Sequence, residues 1–258
     1  MIISIANQKG GVGKTTTAIN LGVFLARQGK RVLVIDLDPQ SNLTSGIGLK
    51  AIDAEGKSSI NGTIYDVLSG RTELSSIFVA TNYENLFAVP SGIDLAGAEV
   101  ELVSAMSRES ILKKSIEQVR DNFDFIFIDC PPSLGILTLN ALVASDSMFI
   151  PVQTEYFALE GLGQLLNTIK MVKSSLNTDL DIGGVILTMY DVRTNLSKQV
   201  TDEIKKFFEG KVFNAIIPRN VRLSEAPSHG KAIVDYDPHS QGAQAYEKLA
   251  GEVIARFT

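Results

Sequence analysis

The chain has 258 residues, 45% of them hydrophobic, with a formal charge of −5 and one cysteine. That is enough apolar material for a sizeable core, and no linker, repeat or low-complexity tract divides it, so a single domain over 1–258 is expected. The acidic balance excludes a coat of basic surface and leaves nucleic-acid binding to a local patch, while a lone Cys130 excludes a disulfide framework or a several-thiolate cluster within one chain.

In chain order, β-rich apolar runs predict strands over 2–6, 31–35, 86–89, 125–128, 147–152, 184–189 and 212–217. The first run is too short for a signal peptide and lacks its basic start. Helical patterns lie over 15–28, 95–106, 108–120, 134–144, 159–174, 195–208 and 241–257, and the polar stretch 51–59 reads as a surface loop. This alternation implies an α/β fold: a mostly parallel twisted sheet with helices on both faces and ligands beyond the carboxyl ends of the strands. No apolar run reaches the roughly 18–20 residues that cross a bilayer, so a cytoplasmic protein is expected.

Between the first strand and the first helix stands Asn7-Gln8-Lys9-Gly10-Gly11-Val12-Gly13-Lys14-Thr15-Thr16. Strand, glycine-rich turn and helix together form the setting of a phosphate-binding loop. The glycines let backbone N–H groups converge on phosphate oxygens, and the helix N-terminus adds partial positive charge. Lys14 is spaced to reach the β- and γ-phosphates, and the Thr15 hydroxyl to ligate Mg²⁺. A plain glycine turn with incidental lysines explains this agreement less well. The common pattern would place Gly at position 8; this chain has Gln8, followed by a second lysine, Lys9.

Two strands end in carboxylates. The run over 31–35 exits through Asp36-Leu37-Asp38-Pro39-Gln40, and the run over 125–128 through Asp129-Cys130-Pro131-Pro132. An aspartate at a sheet mouth can orient water and accept its proton, or hold a metal ion. It can equally be a solvated turn residue. Asp36 either supports a metal site or satisfies turn backbone, and Cys130 reads as a small buried residue.

The loop Lys9–Thr16 resembles the deviant Walker A loop of the ParA/MinD ATPases, a branch of the P-loop NTPases. The resemblance extends over nearly the whole chain. It is most specific in Pro218-Arg219-Asn220-Val221-Arg222-Leu223-Ser224-Glu225-Ala226-Pro227-Ser228, which looks like the same segment of the small chromosomal ParA (Soj) group. The resemblance implies ATP as ligand with Mg²⁺, Lys9 reaching a partner subunit's nucleotide, Asp38 orienting the attacking water, and Asp129 as the Walker B carboxylate. With Thr15, Asp38 and Asp129 form the metal-side set, and Pro218 and Asn220 border the adenine. It also implies an ATP-bound homodimer that binds double-stranded DNA without sequence preference on the nucleoid. A ParB-type centromere-binding partner would stimulate slow hydrolysis and release, driving chromosome or plasmid segregation.

Charge adds a weaker, independent argument. Residues 190–231 hold eight basic and five acidic residues, a net of +3 that leaves −8 for the rest. Arg193, Arg219 and Arg222 are the candidate phosphate contacts. Two rivals remain. A MinD-like membrane-cycling ATPase needs a C-terminal amphipathic anchor, whereas residues 246–258 read as a helix packing on the domain, so no stable membrane association is expected. A different chemistry on the same scaffold, such as a reductase or a ligase, meets the shortage of thiolates and of a second substrate site.

Overall fold

Apolar strands buried on both faces require two cores, one on each side of the sheet. The computed structural model, which describes residues 1–49, 60–156 and 160–258, has both. β1 (Ile2–Ile5), β2 (Val32–Asp36) and β5 (Phe125–Asp129) are buried throughout. Successive side chains alternate between the cores: Ile2, Leu33, Ile35, Ile126 and Ile128 enter one, and Ile3, Ile5, Val34, Phe125 and Phe127 the other. β3 (Val79–Ala80), β4 (Leu86–Val89), β6 (Ser147–Gln153) and β7 (Asp181–Thr188) complete a seven-stranded sheet of order β3-β4-β2-β5-β1-β6-β7. Every pairing is parallel except β3 with β4.

The first core is covered by α4 (Leu95–Glu101), α5 (Ile111–Glu117), α6 (Ile136–Ala144), α7 (Glu160–Ser175) and α8 (Asn195–Phe207). The second is covered by α1 (Lys14–Arg27), α10 (Ile233–Tyr236) and α11 (Gln241–Phe257). Because β1 sits between β5 and β6, the chain diverges to either side of its carboxyl end. That crevice is where open α/β sheets place ligands. Among the described residues no helix is long and apolar enough to cross a membrane.

Three expectations need correction. The stretch 212–217 is not a regular strand and meets β7 only through isolated bridges, Val185 with Val212 and Tyr190 with Pro218. The reason is competition for a donor: Phe213 N–H bonds to Val185, so Ala215 N–H is the next due to face β7, but the Glu252 carboxylate on α11 accepts from it at 2.6 Å, as it does from Asn214 N–H at 2.8 Å, and the ladder is interrupted. The long helices expected over 95–106 and 108–120 break into α4, α5 and 3₁₀ turns, with Ala105 extended and Ser107 left-handed between them. Four short helices went unread: α2 (Asn42–Gly46), α3 (Ile64–Leu68), α9 (Val221–Glu225) and α10. The expected surface loop 51–59 lies outside the described residues.

Candidate nucleotide-binding site

β1 ends at the sheet centre, and the chain must turn from its carboxyl end into α1 within eight residues. Gly11 (φ 71°) and Gly13 (φ 91°) supply left-handed conformations that a side chain would resist. The turn is fastened from outside. Asn7 donates to the Pro151 carbonyl (2.7 Å) and accepts from the Lys9 N–H (3.0 Å), while the Thr188 hydroxyl donates to the Val12 carbonyl (2.8 Å). Gln8, the departure from the common pattern, donates to Gln164 on α7 at 2.5 Å. No side chain caps α1, and no acid stands in its first turn. Its first N–H groups and the positive end of its dipole are therefore left for an external anion.

Lys14 is buried, its ammonium 3.4 Å from the Lys9 carbonyl. Burial pushes its pKa down, opposed by the neighbouring Asp129, Cys130 and Asp38. A desolvated cation at an uncapped helix end is a built anion receptor. Gly10, Gly11, Lys14, Thr15, Thr16 and Asp38 share one cavity of about 650 Å³, which Pro132, beside Gly10, also lines. Lys9 does not line it, and its side chain makes no ion pair among the described residues.

The strand-end carboxylates divide into three kinds. Asp36 and Asp129 stand side by side in the β2–β5 register, both fully buried. Asp36 is saturated: one oxygen accepts from Thr44 N–H (2.8 Å) and hydroxyl (2.7 Å), the other from Asp38 N–H (3.2 Å). It holds turn backbone, which decides between its two readings. Burial pushes its carboxyl up to about 6. Asp129 has no hydrogen-bond partner on either oxygen among the described residues. Burial, reinforced by Asp36, holds its carboxyl well above the usual range, and the Thr15 side chain is near enough to favour the charge without bonding to it. Asp38 lies between these extremes. Oδ1 accepts from Gln40 N–H (2.9 Å), and the carboxylate borders the cavity. Cys130 is buried as expected, its thiol pushed up by desolvation.

A second cleft of about 260 Å³ continues from the first, sharing Gly13, Thr16, Met189, Leu223 and Ser224 with it; Pro218 and Asn220 line its far side. Asn220 Oδ1 caps α9 by accepting from Arg222 N–H (2.8 Å), so its amide NH₂ is the group left to meet a base. Met189 is the bulky non-glycine residue with φ 52° in these walls. The sequence reading missed it, and only the end of an apolar strand pointed there. Tyr246 forms part of the floor, its hydroxyl 3.1 Å from that of Thr17.

Residues 1–182 match a family model described as an AAA domain. Over 254 residues the chain is 59% identical to the sporulation initiation inhibitor protein Soj of Bacillus subtilis, covering 98% of each. Over 257 residues it is 50% identical to the chromosome partitioning protein ParA of Caulobacter vibrioides, covering 99% of this chain and 94% of that one. The chain belongs to the ParA/Soj family. The same fold is seen in cobyrinic acid a,c-diamide synthase of Mycobacterium smegmatis, solved with a bound ATP analogue and magnesium. That likeness has a TM-score of 0.83 at 38% identity over 98% of this chain and 93% of that one.

For a ParA/Soj chain, the arginines are the surprise. Each is already engaged by a carboxylate. Arg193 grips Asp191 with two bonds (2.9 and 2.7 Å), Arg219 meets Glu155 (2.5 Å), and Arg222 meets Glu225 (2.9 Å) with Asp237 at 3.7 Å. Arg193 and Arg219 share a neighbourhood at the β7 exit, where both favour the charged form of Asp191. Arg222 is held apart, on α9. The excess of basic residues over 190–231 is thus locally compensated at its three best candidates.

Proposed function

We propose that residues 1–258 act as one nucleotide-gated, DNA-binding ATPase domain of the partitioning type, and that its site is completed by a second copy. ATP lies along the two joined clefts, its phosphates on Gly10–Thr16 and Lys14 and its base against Pro218 and Asn220. The observation that carries this is the pairing of an anion receptor, Lys14 on an uncapped helix, with a bare buried carboxylate, Asp129. One without the other would be satisfied by a counter-ion; together they ask for a polyanion with a divalent cation.

Among the described residues no three His, Cys, Asp or Glu side chains converge on a point. A cation held here would draw oxygens from nucleotide and water beside the few that the protein offers, as Mg²⁺ readily does. Thr15 offers a hydroxyl and Asp129 its orphaned oxygens, with Asp38 at the same mouth. When bound, Mg²⁺ neutralises charge on the β- and γ-phosphate oxygens.

Asp38 holds the attacking water and takes its proton. Asp38→Ala is expected to bind ATP normally, lower turnover about 100-fold or more and accumulate the ATP-bound dimer. Normal turnover in that variant would refute the role.

Lys9 stands beside the cavity without lining it, as suits a cation used across an interface, where it would act on the transition state as an arginine finger does. The closed dimer presents Arg193, Arg219 and Arg222 to DNA phosphates. Their present partners are exposed ion pairs of little net value, so phosphate can displace the carboxylates cheaply. A ParB-type protein at a centromere-like site stimulates hydrolysis and release, moving a chromosome or plasmid over the nucleoid.

DNA binding in ATP and in ADP, across a salt series, tests the reading. Binding should require ATP and fall with a log–log salt slope of about −5, the value for six phosphate contacts in a dimer. Equal binding in both nucleotides would remove the mechanism.

A further inference from the structure

We propose that Thr44 and Ser91 are positioning residues for hydrolysis, acting through the backbone of Asp38. The inference rests on Asp38 as the residue that faces the attacking water. Four side chains or peptides close a buried ring around that residue. Thr44 donates its N–H and its hydroxyl to Asp36 Oδ2, at 2.8 and 2.7 Å. The same Thr44 hydroxyl oxygen accepts from Ser91 N–H at 2.9 Å. The Ser91 hydroxyl donates to the Asp38 carbonyl at 2.8 Å, and Asp38 N–H returns to Asp36 Oδ1 at 3.2 Å. All four residues are under 8% exposed.

The ring fixes both peptide groups flanking the Asp38 α-carbon. With those planes held, the direction of its Cα–Cβ bond is set, and rotation about that bond is left to the carboxylate's own contact. Gln40 N–H then takes Oδ1, leaving Oδ2 for the cavity. Displacement of a reacting group by about 1 Å costs up to about 100-fold in rate, so such a frame has leverage on turnover without touching nucleotide. The chemistry at each corner is specific. Thr44 must donate and accept through one oxygen, which serine can do and valine cannot. Ser91 must donate, which alanine cannot. Ser91 comes from the exit of β4, two residues past the strand and far from the phosphate loop in sequence. Pro90 beside it is anchored by Ile64 N–H at the start of α3 (2.9 Å).

Steady-state ATP hydrolysis by the full chain, together with affinity for a fluorescent ATP analogue and Mg²⁺, tests the ring. Thr44→Val and Ser91→Ala should each lower turnover about tenfold while leaving analogue affinity within about twofold. Thr44→Ser should recover most of what Thr44→Val loses. Unchanged turnover, a loss of affinity matching the loss of turnover, or no recovery with serine would each overturn the proposal. If Thr44→Val fails to fold, Ser91→Ala, which removes one donor and no backbone bond, carries the test. Inactive Asp38→Ala beside fully active Ser91→Ala overturns the ring alone; active Asp38→Ala overturns it together with the reading of the site.

Discussion

Asp129→Asn should raise the melting temperature of the nucleotide-free protein and lower that of the protein in saturating ATP and Mg²⁺. The Asp129 carboxylate is fully buried, with no donor on either oxygen among the described residues. Leaving such a group unsatisfied costs about 1–3 kcal/mol, more when charged. The isosteric amide removes the charge, and a gain of about 1 kcal/mol corresponds to roughly 2–4 °C for a chain of this size. The pH dependence follows from the direction of the shift. The native carboxyl keeps its proton to a higher pH than the unfolded one, so the native state binds more protons above the usual carboxylate range. Stability through this group is present at low pH and lost as pH rises through the raised native value. The advantage of Asp129→Asn should therefore be greatest at neutral pH and shrink toward acid.

With ligand the order reverses. A ligand at a hundred times its dissociation constant stabilises by about 2.7 kcal/mol, and a variant that cannot help to hold the cation forgoes much of that. Thermal scans with and without ATP and Mg²⁺ between pH 4 and 8 read both signs. A variant less stable than the parent in both states would mean that Asp129 is an ordinary structural carboxylate.

Lys14→Ala is expected to lower ATP turnover about 100- to 1000-fold, the range for removing one preorganised charge-stabilising group. It should also abolish the thermal shift by ATP, without unfolding the free protein. Lys14 has no carboxylate bonded to it, and burial already disfavours its charge. Its removal breaks no ion pair among the described residues; the folding cost is lost packing of the stem together with loss of the cation that favours the charge of neighbouring Asp129, set against relief of the lysine's own desolvation. Lys14→Arg should be nearly as inactive, since a planar fork does not replace a point charge in a turn this tight. Hydrolysis and nucleotide-induced stabilisation measured together check this; parental turnover in either variant would contradict it.

What could be read in the sequence depended on how local its cause was. The phosphate loop is fixed by glycine spacing within ten residues, β1 announces itself as the apolar run that enters it, and β2 and β5 as apolar runs ending in aspartate. The resemblance gave Asp38 and Asp129 different roles and left Asp36 open, but how each carboxylate is bonded was not legible, because Thr44, which saturates Asp36, and Ser91, which frames Asp38, belong to no motif. The failure over 212–217 has the same origin: a carboxylate at position 252 takes donors that local composition assigns to a strand. Arg219 looked free because its partner, Glu155, is 64 positions away. Helices of four or five residues, such as α2 and α9, are too short for a period to be seen.

The edges of the sheet carry one more consequence. At one border β3 is two residues long and antiparallel to its neighbour. At the other, the chain over 211–218 lies along β7, exchanging hydrogen bonds with Val185, Leu187 and Tyr190, while the Phe213 ring fills the space beside Gly184. Neither border offers a long row of open donors and acceptors, the template on which β-proteins zip together and aggregate. A second copy finds no strand to extend, so the dimer proposed above would have to form without sheet extension, through surfaces other than these two borders.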